Sequence, residues 1–146
     1  MVKQIKADSF KMASLPLEVR NAALLKISET LTENQERVFA ANREDLENAK
    51  SAHLPGPIIN RLKFDEEKLS DVVLGITDLI GLPDPLFQTT LKRELDKGLT
   101  LWKVTCPIGV IGVIFESRPD SLVQIAALCV KSGNCSILKV CTVQEC

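Results

Sequence analysis

The sequence lacks the features that mark membrane, secreted and nucleic-acid-binding proteins. Within its 146 residues, no apolar run approaches the roughly 20 residues that a membrane-spanning helix needs. The first eleven residues hold neither an apolar core nor a small-residue cleavage site, which argues against a secretory signal. There is no basic run and the net charge is only -1, so nothing favours nucleic-acid binding. We therefore expect a cytoplasmic protein that binds neither membranes nor nucleic acid.

Metal ligands and catalytic histidines are also scarce. The five cysteines form no Cys-x-x-Cys pair, which is typical of a reduced protein without a metal site. The sole histidine, His53, stands before the breaker Pro55-Gly56-Pro57 and has no nucleophile near it in the sequence. We predict no metal site and a structural role for His53.

The composition and the periodicity of the first two-thirds of the chain predict helices followed by a hairpin. With 45% hydrophobic and 25% charged residues, the chain is an ordinary globular domain with one core. Apolar residues at helical spacing predict helices over residues 19–32, 34–51 and 65–80. Asp65 is the predicted N-cap of the third helix, and Gly81 its end. Asp96-Lys97-Gly98 predicts the turn of a β-hairpin between residues 88–95 and 99–105.

The last third predicts a strand, a helix and a parallel strand. Residues 110–115 are uncharged and mostly β-branched, which predicts a strand buried on both faces. Pro119 is suited to the first turn of a helix, and Gly133 or Asn134 to its left-handed cap. This helix is apolar on nearly every side, so we expect it to be buried. Residues 136–140 then form the next strand, with a right-handed crossover.

Polar side chains are concentrated where these two strands end. Glu116, Ser117 and Arg118 follow the first strand, and Lys139 lies at the carboxyl end of the second. Ligands on parallel sheets bind outside the carboxyl ends of the strands. From spacing alone, these groups are either a structural ion pair with a helix cap or a ligand site.

The chain also resembles a known family, most clearly in Pro-Ile-Gly-Val-Ile-Gly-Val-Ile-Phe-Glu-Ser-Arg-Pro-Asp at 107–120, Ala-Ala-Leu at 126–128, Lys-Ser-Gly-Asn at 131–134 and Ile-Leu-Lys at 137–139. Ala-Ala-Asn-Arg-Glu-Asp-Leu at 40–46 and Leu-Pro-Asp-Pro at 82–85 add to it. These motifs are similar to those of gamma-glutamyl phosphate reductases, members of the aldehyde dehydrogenase superfamily.

The resemblance implies an α/β fold in which N-terminal helices precede a β-hairpin and a βαβ unit. We expect it to be the truncated start of an aldehyde-dehydrogenase-like cofactor domain. We expect that partial domain to span residues 1–139, with the hairpin at 86–105, and residues 140–146 to form a tail that does not match the family.

The resemblance implies an NADP-dependent oxidoreductase of proline biosynthesis. Such an enzyme reduces gamma-glutamyl phosphate to glutamate 5-semialdehyde through a cysteine that displaces phosphate as a thioester. That cysteine is expected beyond the end of this chain, so we assign no catalytic residue and expect the chain to be inactive alone. Cys106, Cys129 and Cys135 are instead predicted to be small apolar residues.

The resemblance also assigns roles at the predicted sheet edge. Phe115, Ser117 and Lys139 are the expected cofactor-binding residues. Ser117 and Arg118 are the expected substrate-binding residues, because a guanidinium is a planar donor for carboxylate or phosphate. Glu116 is expected to orient Arg118.

Other interpretations stay open. The hairpin at 86–105 corresponds to one that joins subunits in the superfamily, which implies a homo-oligomer. The chain is alternatively a non-catalytic module that pairs with full-length reductase subunits through this hairpin. A third hypothesis is a degenerate cofactor-binding domain.

Overall fold

The computed structural model describes residues 2–116 and 118–141 and contains helices, a hairpin and a βαβ unit in that order. The elements are α1 (Val2–Ala13), α2 (Leu17–Glu33), α3 (Gln35–Ser51), α4 (Gly56–Leu62), α5 (Glu66–Gly81), β1 (Thr89–Asp96), β2 (Leu99–Val104), β3 (Val110–Glu116), α6 (Pro119–Lys131) and β4 (Cys135–Cys141). Strands β1 and β2 pair antiparallel, and β3 and β4 pair parallel in a separate sheet. The predicted α/β fold class is confirmed.

The core lies among helices α2, α3, α5 and α6. Its buried members are Leu24, Phe39, Phe64, Leu69, Val72, Ile76 and Ala127. The three predicted helices are confirmed as α2, α3 and α5. The predicted cap of α5 is also present, because Asp65 Oδ1 accepts the backbone N–H of Lys68 at 3.2 Å. None of the helices in the described residues is long and apolar enough to cross a membrane.

Two helices were not predicted. Helix α1 holds apolar and polar residues in equal numbers, but this segment was assessed above only as a secretory signal. Helix α4 begins at the segment Pro55-Gly56-Pro57, interpreted above as a breaker. Proline is tolerated in the first turn of a helix because the N–H it lacks has no intrahelical partner there. The same residues therefore start a helix rather than prevent one.

The hairpin of β1 and β2 projects from the helices. Every residue of both strands is exposed to solvent. Gly98 occupies the turn with φ +78°, a left-handed conformation that glycine adopts without strain. Trp102 is 52% exposed, and the Nζ atom of Lys92 lies 4.3 Å from the centroid of its ring. The hairpin thus has no helix or sheet packed over either face within the described residues.

The parallel sheet is covered less than expected. The prediction that β3 is buried on both faces is wrong, because Gly112 is exposed and Ile114 is 69% exposed. The prediction that α6 is buried on nearly every side is also wrong, because Leu122 and Leu128 are 41% and 57% exposed. An apolar run predicts burial only where other elements pack against it, and the described helices leave part of this two-stranded sheet exposed.

Candidate functional site

The predicted sheet edge is formed by the last residues of β3 and β4. In the parallel register Phe115 pairs with Val140, and Ile114 pairs with Lys139. Successive side chains of a strand point to opposite faces. Phe115 therefore lies on the opposite face of the sheet from Lys139, so the structure does not bring these two predicted cofactor-binding residues to one face.

An apolar groove of about 630 Å³ opens beside this edge. Phe115, Arg118, Pro119, Leu122 and Val140 line one side of it, and residues of α3 and Phe64 line the other. We call it the Phe115 groove. It brings Phe115 and Arg118 together, whereas the exposed Lys139 is not in its lining. Ser117, predicted to contact both cofactor and substrate, lies outside the described residues.

A larger groove of about 940 Å³ adjoins it between α2 and α3, and the two share Leu31, Val38, Asp45, Phe64 and Pro119. None of the predicted site residues lines this second groove. Its lining is mostly helical and includes the charged side chains of Lys26, Arg37 and Asp45.

Arg118 immediately precedes helix α6 and is exposed. Its backbone is extended, with φ −130° and ψ 108°, and Pro119 follows as the first helical residue. The positive end of the helix dipole and the guanidinium together favour an anion at this position. Two acids oppose that field: the exposed Asp45 lines the same groove, and Asp120 Oδ1 is buried and has no hydrogen-bond partner among the described residues. The groove therefore combines an apolar wall with one exposed cation at its mouth.

The expectation that Glu116 orients Arg118 is wrong for the described residues. Glu116 Oε2 instead accepts a hydrogen bond from Arg61 Nη1 of helix α4 at 2.8 Å. No sequence signal pointed to this pair, because the two residues are 55 positions apart and α4 itself was not predicted. Both side chains are nearly half exposed, so the pair ties α4 to the end of β3 with only a modest contribution to stability.

The described cysteines are placed away from the groove. Cys129 and Cys141 are buried, Cys135 is half-buried and Cys106 is exposed. Cys106 precedes β3 and thus lies at the end of that strand opposite to Glu116. No described cysteine lines the Phe115 groove. In the same part of the chain, no three histidine, cysteine or acidic side chains converge as a metal site would need.

Comparison with known proteins adds to this geometry. No protein-family model matches the chain. The protein from Ruminiclostridium cellulolyticum named gamma-glutamyl phosphate reductase is 56% identical over 131 residues, which are 90% of this chain and 30% of that protein. The reductase of the same name from Pelotomaculum thermopropionicum is 53% identical over 139 residues, 95% of this chain and 32% of that protein.

The chain resembles gamma-glutamyl phosphate reductases. Their solved structures agree: that from Saccharomyces cerevisiae superposes with a TM-score of 0.90 at 39% identity, over 95% of this chain and 35% of that one. The structure from Thermotoga maritima gives a TM-score of 0.87 at 30% identity. The chain spans about a third of the length of the reductases it matches, and it corresponds to their N-terminal portion. The family resemblance predicted from the motifs is confirmed.

Proposed function

We propose that this chain supplies part of the substrate and cofactor edge of a gamma-glutamyl phosphate reductase, an oxidoreductase of proline biosynthesis. The observation that carries the proposal is the shared groove of Phe115 and Arg118 at the carboxyl end of a parallel strand. In βαβ folds that edge is where ligands bind. The proposal also rests on 56% identity to a protein of that name.

Arg118 is the proposed contact for the substrate. Gamma-glutamyl phosphate carries a phosphate and a carboxylate, and a guanidinium binds either through two parallel hydrogen bonds. The exposed position of Arg118 at the mouth of the groove suits that role. Ser117 is proposed as a second polar contact to substrate and cofactor. The thiol nucleophile is proposed to come from outside these residues, because no described cysteine lines the groove.

NADP is the proposed cofactor, and its nicotinamide supplies the hydride when bound. Phe115 offers a flat apolar wall within the groove. Lys139 lies on the other face of the same edge and is exposed. A dinucleotide that crosses the edge would meet both residues, and the ammonium of Lys139 would favour a cofactor with an additional phosphate.

Titration of the labelled chain with NADPH and NADH, followed by amide NMR, tests these assignments. We expect shifts at Phe115 and Arg118, and weaker NADPH binding by the Lys139→Ala variant. Lys103→Ala, which removes an exposed lysine of the hairpin, is the matched control and should bind as the parent does. Shifts confined to residues elsewhere, or equal binding by both variants, would refute the cofactor assignment.

We further propose that the chain forms a homo-oligomer, or pairs with a longer reductase subunit, through the hairpin at 86–105. This is the alternative, non-catalytic function. It is favoured by the complete exposure of β1 and β2. The register places Leu91 and Leu101 on one face of the ribbon, where both are more than 40% exposed.

Sedimentation equilibrium tests this interface. A lysine in place of Leu101 should raise the dissociation constant, because it removes apolar contact area and adds a cation beside Arg93 and Lys103 on that face. Thr100→Lys adds the same charge on the opposite face of the ribbon and should have a smaller effect. A parent chain that stays monomeric at all concentrations, and does not bind a full-length reductase, would contradict the proposal.

The proposal also covers the limits of the domain and the location of the protein in the cell. We propose that residues 1–139 are the part of the cofactor domain that this chain contributes. We also propose that it acts in the cytoplasm, where the thiols of Cys106, Cys129 and Cys135 are kept reduced.

A further inference from the structure

Two cations are buried at the base of the hairpin. Arg20 of α2 is 2% exposed, and Lys131 at the end of α6 is 3% exposed. Burial of a charge is costly unless hydrogen bonds and counter-charges compensate for it. Both side chains direct donors to the segment that leads from α5 into the hairpin, residues 80–86.

Arg20 reaches this segment through Asp84. Its Nη2 atom lies 2.5 Å from Asp84 Oδ2, while its Nη1 atom donates to the backbone carbonyl of Lys131 and its Nε to that of Leu15 at 3.2 Å. The other carboxylate oxygen of Asp84 accepts the backbone N–H of Leu86 at 3.0 Å. One carboxylate therefore links helix α2 to the first residues of the hairpin root.

Lys131 holds the same segment from the other side. Its ammonium donates to the carbonyl oxygens of Leu82 at 2.8 Å and Ile80 at 3.1 Å, and to Asn21 Oδ1 at 3.1 Å. All three N–H donors of the ammonium are thus used. Burial, followed by the nearby charge of Arg20, lowers the pKa of Lys131.

Apolar and hydroxyl contacts complete the root. Leu86 is 6% exposed, and its Cδ1 atom lies so near Gly133 that a Cβ there would be only 2.7 Å away. Thr105, which follows β2, donates through Oγ1 to the carbonyl of Pro85 at 2.7 Å and accepts the N–H of Gln88 at 2.9 Å. The strands beyond are wholly exposed, so the direction of the hairpin is fixed at its root.

We propose that Arg20, Asp84 and Lys131, here called the root network, hold the hairpin in one direction relative to the helices. Buried ion networks often add little net stability, because desolvation offsets the attraction between the charges. Their geometry nevertheless admits few alternatives, since any other position of residues 80–86 would leave buried donors unpaired. The network thereby sets the direction in which the hairpin meets a partner. The inference that this direction serves a partner rests on the proposed interface. The inference that the network fixes the orientation of the hairpin does not.

Residual dipolar couplings of backbone amides measure this orientation in the chain itself. In the parent, couplings from β1 and β2 should fit the same alignment tensor as those from α2, α3 and α5. In Asp84→Asn, which removes the counter-charge of Arg20, the hairpin couplings should lose that common fit while the helices retain theirs. Asp78→Asn, at an exposed position of α5, is the control and should behave as the parent does.

Asp84→Glu provides a second variant, should Asp84→Asn fail to fold. It keeps the charge and moves the carboxylate outward by one methylene, so the hairpin should stay ordered but point in a new direction. A hairpin that already tumbles independently in the parent would overturn the proposal. So would a direction that is unchanged in the folded variants. Neither result depends on oligomerisation or NADPH binding, so failure here is distinct from failure of the proposed function.

Discussion

At the scale of single residues, the acidic member of the root network links folding to pH. The hydrogen bond from Arg20, and to a lesser extent that from the N–H of Leu86, lowers the pKa of Asp84 below its ordinary value of 3.8, against the opposing effect of burial. The unfolded chain therefore binds a proton at Asp84 more readily than the folded chain does. Asp84 stabilises the fold fully above pH 3.8, and this contribution is lost as the pH falls through the lowered folded-state pKa.

The free energy of unfolding should accordingly decrease on acidification below about pH 4, more steeply in the parent than in Asp84→Asn. Urea unfolding at a series of pH values measures both slopes. Asp78→Asn serves again as the control and should retain the steep acid limb. If Asp84→Asn keeps the parent's slope, the ion pair with Arg20 does not contribute to the acid sensitivity.

Predictions about single residues succeeded where the interacting residues are close together in the sequence. Phe115 and Arg118 meet at one groove because they flank the end of one strand, and the cap at Asp65 spans three residues. The pair of Arg61 with Glu116 joins positions 55 apart and was missed. Lys131 lies in the last turn of α6, but its burial depends on α2 and α5 and so has no local signal.

At the scale of elements, helix α6 shows why its boundaries were predictable. It begins at Pro119, as the sequence predicted, and Gly133 adopts the left-handed conformation after its end with φ +66°. The N–H of Asn134 donates to the carbonyl of Cys129 at 2.8 Å, and that of Gly133 to Val130 at 3.1 Å. These bonds form a Schellman motif, which satisfies carbonyls that the helix leaves unpaired. Start and stop signals of this kind are local, so sequence reveals them.

Gly133→Ala should destabilise the chain by about 2 kcal/mol, from the left-handed backbone and the contact with Leu86. Gly75→Ala is the matched control. Gly75 lies within helix α5, and a Cβ added there would have no neighbouring atom within 4 Å, so alanine should stabilise by roughly 0.5–1 kcal/mol. Denaturant unfolding measures the free energy of unfolding of both variants. Equal effects at the two positions would contradict the role given to Gly133.

At the scale of the whole molecule, the order of elements was predicted but their burial was not. Residues 110–115 and helix α6 carry the pattern of two-sided burial, yet Ile114 and Leu128 are more than half exposed. Parallel sheets usually carry packed elements on both faces. This chain spans about a third of the reductases it matches, and its described residues leave part of the sheet exposed. Periodicity predicts which residues are suited to burial. Whether they are buried depends on the elements that pack against them.

The central claim is that this chain carries part of a cofactor-binding edge, and thermal unfolding with and without NADPH tests it most directly. A ligand that binds only the folded state at a hundredfold excess over its dissociation constant stabilises that state by about 2.7 kcal/mol. For a domain of this size that is a rise in Tm of roughly 8 °C. We predict a cooperative melt that NADPH moves upward, with a smaller shift in Lys139→Ala. A cooperative melt that saturating NADPH leaves unchanged would contradict the account and favour the interaction module.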